Sequence, residues 1–207
     1  MDSTRPDNKT GVPLAHYKSL YAQADPAEMS RRTGIEWDGE KGEFRFTVLN
    51  VELKATWPEL GVYYAASGEA CKPSIVILFG RFLLEGTATL SAGRFLAYAE
   101  MPWGQVYNAN FNGRCIRRLA GTFGADLAGF ERACVRCGGQ KVKGGDSAFV
   151  LTFLPELFLK VILWEGDEEY PASAQILFSD NFPAAFTAED DCVVCETAIT
   201  FLNNARK

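Results

Sequence analysis

The sequence predicts an α+β fold, a mixed or antiparallel sheet flanked by helices, in a single domain. Three observations predict it. Helical and strand patterns come in blocks, without regular βα alternation. Paired runs alternate apolar and polar residues, as half-buried antiparallel strands do. The chain has 207 residues, 47% of them hydrophobic, enough for a full core without staples.

Residues 1–12 are polar, with Pro6 and Gly11, and are expected to be a disordered tail. The domain then runs over 13–207. Leu14, Tyr17, Leu20 and Tyr21 recur at helical spacing. Asp25-Pro26 interrupts that helix and caps a second piece, which Gly34 ends. Phe44, Phe46 and Val48, then Val51, Leu53, Ala55 and Trp57, alternate around Asn50 and predict a hairpin. Val62–Ala65 is a third strand. Pro73–Leu84 is apolar nearly all round, so a helix there is buried on most of its surface. A boundary near residue 70 has no linker behind it.

Met101-Pro102-Trp103-Gly104 is irregular. Gln105–Leu119 and Ala125–Cys137 read as helices, and Gly138–Asp146 as a glycine-rich loop. Strands follow at Ser147–Leu154 and Leu157–Trp164, then the acidic turn Glu165–Glu169 and a short apolar segment, Ala174–Phe178. The last helix spans about Ala188–Asn204, with Thr187 and Asp190 spaced as a capping box.

Charge excludes some functions. Lys plus Arg number 21 against 26 Asp plus Glu, net −5, which argues against nucleic acid as a partner. No apolar run reaches the roughly 20 residues of a spanning helix, so no membrane partner is expected. The start carries no apolar signal segment, and a cytoplasmic protein is the expectation. The charge is also uneven. Phe111–Gly145 holds seven basic and two acidic residues, whereas Val161–Ala205 holds nine acids and no base. The acidic stretch leaves room for a basic protein partner.

Six cysteines without a secretion signal are expected as thiols. Cys134/Cys137 and Cys192/Cys195 have the spacing of a thiolate zinc site. However, Cys192 and Cys195 continue an apolar stripe with Ala188, Ile199 and Leu202, and Cys134 and Cys137 continue one with Leu127 and Phe130. Helical register therefore favours core over a metal or a redox dithiol, and no metal is favoured. The one histidine, His16, lies beside Leu14 and Tyr17 and reads as a helix surface residue. The Gly138–Asp146 loop fits neither a Walker loop nor a dinucleotide fingerprint. A plain loop needing positive φ is the simpler reading, and a solvated turn is the simpler reading of Glu165–Glu169.

The C-terminal half resembles a bacterial family of unknown function, numbered 3786. Leu163-Trp164, Gly166-Asp167, Glu169-Tyr170-Pro171, Ile176-Leu177-Phe178, Thr187 and Glu189-Asp190 carry the likeness. Arg94-Phe95, Trp103-Gly104, Tyr107, Phe111, Arg114, Gly138-Gly139 and Gly145-Asp146 extend it from about residue 15 onwards. Ser179 intervenes before Asp180, so no role passes to that aspartate. The paired cysteines stand outside the family pattern. No cysteine precedes Cys71, so the N-terminal iron–sulfur module of some relatives is not expected.

The resemblance implies a fold and a setting in anaerobic redox or one-carbon metabolism. It raises the weight of Arg114, Tyr107, Asp146, Asp167 and Glu169 as one ligand-binding site. The first reading is an accessory module for a small molecule or anionic cofactor, with Arg114 as clamp and Asp167 and Glu169 orienting it. A metal-assisted hydrolase or transferase using Asp167 and Glu169, and an interaction module with an acidic C-terminal face, are the alternatives.

Overall fold

A computed structural model of the chain describes residues 10–207. Of the expected tail, residues 1–9 lie outside the described residues. The fold is α+β and both its sheets are antiparallel. Contacts divide it into two units. One comprises the described residues up to Phe46 with Glu52–Ala88. The other comprises Thr47–Val51 with Thr89–Lys207.

The first unit begins with helices α1 (Gly11–Tyr21) and α2 (Pro26–Thr33). Asp25 caps α2 by accepting from the Ala27 N–H at 2.9 Å, and Gly34 leaves the helix at φ +69°. Its sheet has the order β1 (Glu36–Asp38), β2 (Glu43–Val48), β3 (Val51–Thr56), β4 (Val62–Tyr64). Strand β1 has too few residues to show an alternation, so periodicity did not find it. The buried helix is α3 (Pro73–Glu85). Arg32 from α2 closes its end by donating to the carbonyls of Leu83 (2.7 Å), Leu84 (2.8 Å) and Gly86. These acceptors are among those a helix C-terminus leaves unpaired.

The second unit has the sheet order β5-β9-β8-β7-β6. The long hairpin β7 (Ser147–Leu154) and β8 (Leu157–Trp164) is its centre. Strand β9 (Ser173–Ser179) replaces the short apolar segment expected there. The edges β5 (Phe95–Ala97) and β6 (Gln140–Val142) have three residues each and escaped the sequence reading. Thr47–Val51 adds a two-residue turn with Leu49 at φ +50° and Asn50 at φ +64°. Leu49 N–H donates to the Thr152 carbonyl (3.3 Å) and the Asn50 amide to that of Arg136 (3.1 Å).

The helices of this unit are α4 (Gly104–Phe111), α5 (Arg117–Phe123), α6 (Leu127–Arg136), the short α7 (Phe182–Ala185) and α8 (Ala188–Ala205). A single π-helical turn, Asn112–Ile116, joins α4 to α5. The helix expected to stop at Leu119 therefore runs on to Phe123. Helices α5 and α6 meet strands β7–β9, and α8 packs on α4, α5 and α6. Ala188, Cys192, Cys195, Ile199 and Leu202 are all buried, along the stripe the spacing predicted. No helix among the described residues is long and apolar enough to cross a membrane.

Candidate functional site

The site lies where α4 and α8 begin. Between β5 and α4 the chain makes a 3₁₀ turn, Tyr98–Glu100, then the irregular Met101-Pro102-Trp103-Gly104. Tyr98 is buried and stacks flat on Phe111, with ring centroids 4.0 Å apart and planes within 2°. Its hydroxyl donates to the carbonyl of Ala188 at 2.7 Å. That bond ties the 3₁₀ turn to the first residue of α8.

Trp103 then turns the chain into α4. It holds φ +65°, a left-handed conformation that costs an L-residue of this size about 1 kcal/mol or more. Gly104 follows because a Cβ there would overlap the Tyr98 carbonyl oxygen. The indole is nonetheless 76% exposed, and Val106 and Tyr107 in the next turn are 70% and 46% exposed. Trp103 and Tyr107 are four residues apart, on one side of the helix start.

Across from them, Thr187 and Asp190 form the capping box. The Thr187 hydroxyl and N–H donate to Asp190 Oδ2 at 2.7 and 3.1 Å, and the Asp190 N–H donates back to Thr187 Oγ1 at 3.4 Å. Trp103, Tyr107, Thr187, Ala188 and Glu189 enclose an open groove of about 370 Å³. That volume suits a small ligand.

The first turns of α8 carry buried titratable groups. Asp191 is 1% exposed and neither carboxylate oxygen has a hydrogen-bond partner. Burial pushes its carboxyl well above the usual carboxylate range, and neighbouring Asp190 and Cys192 add to the shift. The Cys192 thiol donates to Tyr98 Oη (3.6 Å), and the Cys115 thiol to the Cys192 carbonyl (3.5 Å). The thiol beside Cys192 and Cys195 is thus Cys115, from the π turn; Cys134 has Cys137 as its thiol neighbour. All six cysteines are free and buried. Among the described residues no three His, Cys, Asp or Glu side chains are arranged to hold a metal.

The five residues singled out from the sequence fall into three places. Tyr107 lines the groove. Arg114, two turns along, gives its guanidinium fork to Glu196 of α8, with Nε and Nη2 each at 2.9 Å. The fork read as an anion clamp oriented by Asp167 and Glu169 thus has a carboxylate of α8 in it. Asp146, Asp167 and Glu169 gather at the turn after β8. Asp146 Oδ2 accepts from the Glu165 N–H at 2.8 Å. Asp167 Oδ1 accepts from the N–H groups of Glu169 (2.9 Å) and Tyr170 (2.6 Å), an Asx turn that holds the loop in shape. The Glu169 side chain is exposed.

Trp103, Glu189 and Asp191 were not singled out from the sequence as site residues. A tryptophan between proline and glycine in an irregular segment was the available signal for the first. Nothing local marks Asp191, because its isolation depends on packing from residues far away in the chain.

The model of one family, Domain of unknown function (DUF3786), matches residues 25–201. The chain belongs to this family. All five groove residues of this DUF3786 chain, Trp103, Tyr107, Thr187, Ala188 and Glu189, lie within the matched stretch. No curated protein matches the chain. No solved structure matches it either.

Proposed function

We propose that this DUF3786 protein is an accessory module that binds a small ligand in the groove at the start of α8. One observation carries the reading: Trp103 holds a costly left-handed backbone yet leaves its indole in solvent beside that groove. Folding gains little from an exposed ring, whereas a ligand gains a flat apolar wall already in position. The setting we assign is the bacterial cytoplasm, in anaerobic redox or one-carbon metabolism. The buried free thiols suit a reducing compartment, and the metabolic setting follows from the family resemblance alone.

The test is a thermal-shift screen of small metabolites, repeated on Trp103→Ala and Tyr107→Ala. Ligands that raise the melting temperature of the wild type should lose that effect in both variants. Hits that stabilise Trp103→Ala as fully as the wild type would remove the groove from consideration.

A further inference from the structure

We infer that the groove selects an organic cation, a small ammonium compound with apolar substituents. This rests on the groove being the ligand site. The argument is one of charge and ring chemistry together. Phe95–Gly113 and Asn181–Cys195, the two segments that build the groove, contain Glu100, Glu189, Asp190 and Asp191 and no lysine, arginine or histidine. The bases nearest in sequence are already engaged, Arg94 with Asp180 and Arg114 with Glu196. Among the described residues, Glu189 is the one charged side chain lining the groove.

Two helix starts meet there, and each carries a positive end of roughly half a charge that would favour an anion. At α8 that end is answered by the capping box and by Glu189 and Asp190 in its first turn. At α4 no lysine or arginine reinforces it. The balance is negative, and an anion would face Glu189 directly.

The aromatic walls favour the same class. The faces of indole and phenol rings attract a cation held within about 6 Å of their centres. Trp103 and Tyr107 present two such rings, and Glu189 supplies the counter-charge. An ammonium bearing methyl groups meets all three at once, with its apolar surface on the rings and its charge toward the carboxylate. A bare metal cation or an ammonium ion without substituents leaves the aromatic walls unused.

The experiment is a calorimetric titration of the full chain with three probes: tetramethylammonium, its neutral isostere tert-butyl alcohol, and inorganic phosphate. Tetramethylammonium should bind about tenfold more tightly than the alcohol, and phosphate should not compete with it. Glu189→Gln should reduce the cation's advantage over the alcohol about fivefold. Trp103→Ala should abolish binding of both. Glu189→Gln leaves an exposed side chain of the same shape, so its melting temperature checks that the fold is intact.

If phosphate binds better than the cation, if the wild type binds no probe, or if Glu189→Gln leaves the preference unchanged, the cation inference is overturned. The groove itself then still stands on the metabolite screen. If Trp103→Ala leaves every ligand bound as before, the groove falls and the cation with it.

Discussion

Arg114 and Glu196 form a two-pronged pair that pins the π turn to the middle of α8. Both prongs measure 2.9 Å. Arg118, one turn on, extends the seam by donating to the Glu196 carbonyl (3.2 Å) and to Thr200 Oγ1 (2.9 Å). The pair is half-exposed, with relative side-chain exposures of 47% and 31%. Solvent screening therefore limits what it contributes.

Replacing the fork tests this seam. Arg114→Lys keeps the charge but loses the parallel geometry. Urea unfolding should show a loss of about 0.5–1 kcal/mol, shrinking in molar salt. A loss several times larger would mean that the guanidinium does more than hold Glu196.

Trp103 and Gly104 should respond in opposite ways. Trp103→Gly relieves the left-handed strain and exposes almost nothing new, so stability should change by less than about 1 kcal/mol, upward if at all. Gly104→Ala drives a Cβ into the Tyr98 carbonyl, which is backbone and cannot swing aside. That variant should lose about 2 kcal/mol or more. Chemical denaturation of the two side by side decides the matter, and a large loss in Trp103→Gly would mean that the fold needs the indole.

Asp191 makes stability depend on pH. Its unfolded carboxyl titrates near 3.9, whereas in the folded chain burial raises it well above that. Below the unfolded value both states hold the proton. Above it the unfolded chain releases the proton first, so stability is lost as pH rises until the folded value is passed. Asp191→Asn removes this slope. Its urea midpoint should gain on that of the wild type between pH 4 and pH 8. A constant difference across that range would contradict a buried neutral acid.

The thiols should be silent in the folded protein. Burial pushes Cys71 and Cys137 up to about 11 and raises Cys134 and Cys195 as well. The thiolate is the reactive form, so little of it exists at pH 8. A coloured disulfide reagent should find almost no reactive thiol in the native chain and all six in urea. One fast-reacting cysteine in the native protein would point to an opening that the packing does not show.

Long patterned segments were legible from the sequence; short ones were not. The α8 stripe, the β7–β8 hairpin and the Asp25 cap follow from local spacing and local chemistry. Strands β1, β5 and β6 have three residues each, too few for alternation to register. The site was half legible. Tyr107 was named, but its neighbours come from Trp103, whose backbone conformation no pattern announces, and from Glu189, more than eighty residues on. Arg114 was named with an open fork, because Glu196 meets it only through helix packing. Asp146 and Asp167 gave a carboxylate-rich pattern, yet each carries hydrogen bonds that shape its own loop.

The π turn at Asn112–Ile116 decides how this helix pair is held together. In a regular helix neighbouring residues point about 100° apart, and a π turn shifts that register locally by one extra residue. Here Arg114 and Cys115 are consecutive and both meet α8, one at Glu196 on the surface and the other at Cys192 inside. The extra residue works as a slipped tooth in a gear. One turn of backbone thus grips α8 at two depths, through a surface ion pair and a buried thiol.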